Sequence, residues 1–182
     1  MNFADTEIDG VRVITPKVFS DDRGYFFESY NREVFCNAGI WNTFVQDNQS
    51  MSSHGVIRGL HCQLGEYAQA KLVRVLRGTI LDVAVDIRRE SRTCGRHVAV
   101  ELSDDNKKQL FIPRGFAHGF SVLSEMAVVA YKCDNAYNGA SEIGIAFDDP
   151  DLAIAWRIPA DKVIVSGKDR RHKGLKDAFD NR

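Results

Sequence analysis

The chain has 182 residues, of which 44% are hydrophobic and 27% charged, with a formal net charge of −1. That length suits one domain, 1–182, with a substantial core. A near-zero charge gives no field for nucleic acid or an acidic membrane surface, and no apolar run approaches the roughly 20 residues that span a bilayer.

The N-terminus, MNFADTEIDG, has neither a basic region nor an apolar one, so it does not read as a secretory signal. Cys36, Cys62, Cys94 and Cys133 form no C-x-x-C pair. A chain this long needs no disulfide staples, so the four read as reduced thiols of a cytoplasmic protein. No repeat, low-complexity segment or linker interrupts the chain.

In chain order, DDRGYFFESY (21–30) reads as a hairpin with aromatic packing. A short helix is expected from Asn31, its N-cap, to Gly39, its C-terminal stop. KLVRVLRGTILDVAVDI (71–87) alternates and is broken at Arg77-Gly78, as a hairpin turn would break it. HVAVEL (97–102) is a strand followed by the polar turn SDDNKK, and QLFIP (109–113), GFSVL (119–123) and AVVAYKC (127–133) continue the series. A second helix is expected through DPDLAIAW, with Asp149 as cap and Pro150 at the first helical position. The charged stretch after Ile164 reads on its own as a solvated tail. Short strands between turn clusters predict an all-β sandwich or barrel with a few short helices.

The stretch RGLHCQ (58–63) raises the functional question. His61 there could be a metal ligand, a proton-transfer group or a satisfied core histidine. Arg58 and His61 are three apart, so a regular strand sends them to opposite faces. Gly59 between them predicts a bulge that re-aims one of them. Tyr131 shares a predicted face with Val129 and Ala127, and reads as a strand aromatic or as a pocket residue beside small neighbours. Lys71 heads a strand, where an exposed edge lysine is the plain reading.

FIPRGFAHGF (111–120) resembles the second motif of the cupin superfamily, through Pro113, Gly115 and His118. Metal-binding cupins carry H-x-H and a following glutamate in their first motif. Here Gln63 replaces the second histidine and Lys71 lies near the place of the glutamate, where its ammonium would repel a cation. No metal site is therefore expected, and a cupin-type jelly roll is.

The resemblance narrows further. DDRGYFFESYN, VQDNQSMS, VIRGLHCQ, AKLVRVLRG, DVAVDIRR, YKCDNAYNGASEIGIAFDDPDLAIAW and SGKDRR, in that order, resemble the dTDP-4-dehydrorhamnose 3,5-epimerase family over nearly the whole chain. The resemblance implies an isomerase of deoxysugar biosynthesis acting on dTDP-4-keto-6-deoxy-D-glucose without a cofactor. It implies His61 as the base, Asp169 as the carboxylate that orients it, Tyr131 as the acid on the opposite face and Lys71 as the group that stabilises the enolate. It places His118 in the same pocket, Arg58 and Lys168 near the diphosphate, and Tyr137 against thymine. Arg23, Phe26, Glu28, Gln46, Asp47, Asn48 and Glu142 are implied as further nucleotide contacts. A homodimer is also implied, with the 1–50 segment at the subunit contact, 51–150 as jelly-roll core and 151–182 as a helical or irregular C-terminal segment. The alternatives are a single-centre epimerase, a 3,4-ketoisomerase, a metal-dependent cupin and a non-catalytic sugar-binding cupin.

Overall fold

The computed structural model describes residues 1–180; the last two residues of the 151–182 segment lie outside it. In chain order the strands are β1 (Asn2–Asp5), β2 (Arg12–Thr15), β3 (Phe19–Asp21), β4 (Gly24–Phe26), β5 (Gln46–Ser53), β6 (Val56–Gln63) and β7 (Lys71–Arg77). They continue with β8 (Thr79–Asp86), β9 (His97–Ser103), β10 (Gln109–Ile112), β11 (Phe116–Val122), β12 (Met126–Cys133), β13 (Glu142–Gly144) and β14 (Ile164–Val165). Helix α1 (Arg32–Asn37) follows β4, and α2 (Leu175–Asp180) ends the described chain.

Two sheets form the sandwich. The first runs β1-β2-β10-β7-β12-β5; the second runs β13-β6-β11-β8-β9, with β14 added in parallel to β6. The alternation of each strand decides its two faces. Val73 and Val75 of β7, Ala84 of β8, Phe116 and Phe120 of β11, and Ala127 and Val129 of β12 meet in the core between the sheets. The opposite face of the second sheet carries Ile57, Leu60, Leu81 and Val83, which are covered by Ile145, Leu152, Trp156 and Leu175 of the later chain. The first sheet draws β1, β2 and much of β5 from before residue 51, so that segment is partly built into the sandwich.

The expected hairpin at Arg77-Gly78 does not form. β7 pairs with β10 and β12 in one sheet, while β8 pairs with β9 and β11 in the other. Gly78 is the corner where the chain changes sheets. Its φ is +83°, and an added Cβ would lie 2.1 Å from the Met126 carbonyl oxygen, a backbone clash that restricts this corner to glycine.

The first expected helix is present. Asn31 Oδ1 accepts from the N–H groups of Glu33 and Val34, and Gly39 follows with φ +83°. The second is not. Asp149 does cap a turn, accepting from Asp151 N–H, and Ala153 N–H bonds back to the Asp149 carbonyl. Ala153 then adopts φ +46°, which ends the helical path after one turn. Burial of Leu152 and Trp156 in the outer cluster wins over local propensity here.

Candidate functional site

The site is built at one end of the sandwich, from inward-facing residues of both sheets. The bulge expected near Gly59 is present. His61 stands opposite His118 and Arg58 opposite Phe120, so β6 spends three steps where β11 spends two. Gly59 has φ +123°, and an added Cβ would lie 2.6 Å from Gly119 Cα. The extra residue turns Arg58 and His61 to the same side, while Ile57, Leu60 and Cys62 pack outward.

His61 Nε2 lies 2.8 Å from Asp169 Oδ1. Asp169 is only 5% exposed, which removes it from the solvated tail its sequence context implied. Burial pushes its carboxyl up, but the His61 hydrogen bond and charge, the Gly59 N–H and the Ser166 hydroxyl outweigh that and hold it below the usual carboxylate value. An ionised Asp169 accepts the proton of Nε2, so Nδ1 of His61 is the nitrogen with a free lone pair.

Lys71 and Tyr131 face His61 from the first sheet. Lys71 is on the central strand β7 and stands opposite Cys133 and Ile112, so it is not an edge lysine. Burial pulls its ammonium below the ordinary lysine value, and the thiols and carboxylates around it offset this only in part. Its Nζ lies 5.9 Å from the centre of the Tyr131 ring. The Tyr131 phenol is pushed up, first by burial.

His118 completes this wall. Its Nε2 lies 2.7 Å from Asp82 Oδ1, and both side chains are buried. Burial lowers the imidazole's proton affinity despite that partner. Asp82 was missed in the sequence. Its signal is an acidic residue in the middle of the apolar run TILDVAVD, which demands a buried partner.

These groups line a cleft of ≈ 500 Å³ that includes Arg58, His61, Lys71, His118, Tyr131, Lys168 and Asp169. A second cavity of ≈ 340 Å³ shares His61, Lys71 and Tyr131 with it and extends to Gln46, Asn48, Tyr137 and Glu142. Glu142 ties that end together: it accepts from the Tyr137 hydroxyl at 2.9 Å and from Lys168 Nζ at 2.8 Å. The Lys168 and Tyr137 hydrogen bonds outweigh burial and hold its carboxyl below the ordinary value. Gln63, which replaces the motif histidine, is turned into the loop. Its amide donates to the Tyr67 and Ala136 carbonyls and accepts from Asn138 N–H, which anchors the segment bearing Tyr137.

Four expected residues lie elsewhere. Asp47 points to the other face of the first sheet and pairs with Lys132 at 2.9 Å. Arg23 and Phe26 sit on the β3–β4 hairpin, where Arg23 pairs with Asp21, and Glu28 accepts from Asn31 just beyond it. That hairpin pairs with neither sheet.

His172 was also missed. Its ring meets that of His61 edge to face, with centres 5.4 Å apart. Among the described residues, His61, Asp169 and His172 form the one trio whose donor atoms all lie within 4.8 Å of one another, a spacing within reach of a metal ion.

A cupin jelly roll with a histidine–carboxylate pair on one wall, and a tyrosine and a buried lysine on the other, defines a barrel built for proton transfer beside a carbonyl. The chain belongs to the dTDP-4-dehydrorhamnose 3,5-epimerase family, whose model matches residues 5–177. The Escherichia coli dTDP-4-dehydrorhamnose 3,5-epimerase is 52% identical over 172 residues, covering 94% of this chain and 92% of that one. The crystal structure of the Elizabethkingia anophelis enzyme of that name superposes with a TM-score of 0.94 at 52% identity, covering 97% of each chain. A Legionella pneumophila dTDP-6-deoxy-D-glucose-3,5-epimerase in complex with dTDP-4-keto-L-rhamnose matches with a TM-score of 0.93 at 49% identity, covering 96% of this chain and 93% of that one.

Proposed function

We propose that this protein inverts C3 and C5 of dTDP-4-keto-6-deoxy-D-glucose, giving the keto sugar from which dTDP-L-rhamnose is made. Both carbons flank the C4 ketone, so their protons are acidified. His61 Nδ1 removes a proton from one face, with Asp169 stabilising the imidazolium through Nε2. Negative charge develops on the C4 oxygen, where Lys71 stabilises the enolate, while His118, held by Asp82, lines the pocket beside it. Tyr131 returns a proton to the opposite face and is recharged from solvent. Burial makes the Tyr131 phenol an even weaker acid than a free one, but an enolate carbon is basic enough to take its proton.

The observation that carries this reading is the placement of His61 and Tyr131 on opposite sheets across one cleft, with Lys71 beside Tyr131. Arg58 and Lys168 suit the diphosphate and Tyr137 the thymine face. No cofactor is needed for these steps. The likeness to the Legionella enzyme with its bound keto sugar supports the substrate class.

The protein acts as a homodimer in this reading, as one domain per chain, in the cytoplasm. Phe26 is 69% exposed and Tyr25 59% on a hairpin that joins neither sheet, which is an unfavourable place for aromatics unless a second copy covers them. Arg23, Phe26 and Glu28 then serve the neighbouring cleft. Asp47 supports the sheet from its outer face. Among the described residues no helix is long and apolar enough to cross a membrane.

The test is proton NMR of the sugar in D₂O with chelator-treated protein. Loss of both H3 and H5 signals, abolished in His61→Asn, is expected. Loss of one signal identifies a single-centre epimerase, and no exchange overturns the reading for this substrate.

A further inference from the structure

We infer that His61 and Asp169 of the cleft, together with His172 packed behind them and outside the cleft lining, also form an inhibitory zinc site. Two imidazoles and a carboxylate are a donor set that zinc accepts, with the fourth position left to water. Their donor atoms already lie within 4.8 Å of one another. Zinc bonds of about 2.0–2.2 Å require neighbouring donors about 3.4 Å apart, so the His61–Asp169 pair at 2.8 Å has to open slightly and His172 to approach by little more than an ångström at most.

Three further observations favour a ligand there. The Nδ1 of His172 is buried without a hydrogen-bond partner, so its ring has a nitrogen to spare. Its ring packs against Gly144, where an added Cβ would stand 2.1 Å from Cε1, so a larger residue at that position would displace His172 from the trio. Asp169 is held by the Gly59 N–H through Oδ2, which leaves Oδ1 aimed at His61.

The inhibition rests on the role of His61 proposed above; the binding does not. Zinc replaces the hydrogen bond between His61 Nε2 and Asp169. The imidazole then carries its proton on Nδ1, the nitrogen assigned to take one from the sugar. No proton is gained or lost overall; the tautomer changes. The occupied site is therefore closed to catalysis, unlike a zinc enzyme in which the metal polarises the substrate.

The experiment uses the chelator-treated full chain and zinc chloride alone. Zinc binding is measured by calorimetry, and sugar proton exchange is followed over the same titration. One ion per chain is expected, with exchange lost in proportion to occupancy. His172→Gln is expected to keep its exchange rate within about twofold. The variant should require at least the 10- to 100-fold more zinc that even an outer-sphere partner is worth. Cobalt substituted for zinc should show nitrogen and oxygen ligation without a thiolate band, which separates this site from Cys62 and Cys133. Unchanged zinc affinity in His172→Gln, or a thiolate band, overturns the site. Binding that depends on His172 but leaves exchange intact supports the site and overturns His61 as the base. His172→Asn serves as a second variant, with circular dichroism to confirm that each is folded.

Discussion

Asp169 Oδ1 lies 2.8 Å from His61 Nε2, across 108 residues of chain. The pair fixes which ring nitrogen faces the cleft. Asp169→Asn puts an amide where the carboxylate was, so it removes the charge that stabilises the imidazolium. The expected loss in the epimerisation rate is about 10²–10⁴-fold, with little change in melting temperature. A variant within a few-fold of wild type by initial rate would remove Asp169 from the mechanism.

Tyr131→Phe separates the two halves of the reaction. The base still exchanges the proton it takes, so deuterium wash-in from the His61 side is expected to persist within about tenfold. Formation of the inverted sugar should fall by about 10²–10⁴-fold. Paired NMR of wash-in and product reads both. Equal loss of the two signals would mean that Tyr131 acts on the first step instead.

Lys71→Met tests function against stability. Burial already disfavours the charge of the Lys71 ammonium. Methionine fits the same channel, so the variant is expected to fold with an equal or higher melting temperature. Its rate should fall by about 10²–10³-fold for lack of enolate stabilisation. The sign in pH follows. The folded pKa lies below the ordinary 10.5, so between the two values the unfolded chain binds more protons and folding stability rises with pH. Wild type should gain on Lys71→Met over that window in denaturant titrations.

Asp86 is the counterpart in the scaffold. It is fully buried and accepts from Arg88, Ser91 and Thr93. Burial raises its carboxyl, but those hydrogen bonds win and hold it well below the ordinary range. A depressed folded pKa stabilises above the ordinary 3.8 and is lost as pH falls below it. Asp86→Asn is expected to cost about 2–4 kcal/mol at neutral pH. The two proteins' stabilities should converge below that value, as read by denaturant titration at several pH values.

Gly59→Ala probes the bulge. The methyl meets Gly119 Cα at 2.6 Å in a backbone region that disfavours side chains. The expected cost is about 2–4 kcal/mol, together with a loss of activity beyond that of a surface variant, because Arg58 and His61 lose their common face. Unchanged melting and rate would show that the bulge is not needed.

The sequence by itself carried the strands between residues 71 and 133, the first helix, the family and, through Gly59, the irregularity that lets Arg58 and His61 share a wall. These are local matters of alternation, capping and backbone freedom, or of motifs in order. The tertiary structure decided the rest. Whether Gly78 turns a hairpin or a sheet corner depends on which strands β7 and β8 find as partners, and these are distant in sequence. The turn after Asp149 stops because Leu152 and Trp156 have an apolar cluster to fill. Lys71 is central rather than peripheral because β10 and β12 flank it. Asp82 and His172 carry no motif, and only packing puts one against His118 and the other against His61. Asp47 and Gln46 are neighbours in the chain, yet the pleat of β5 sends them to opposite faces. Alternation tells that they differ, but only the assembled sandwich tells which face holds the cleft.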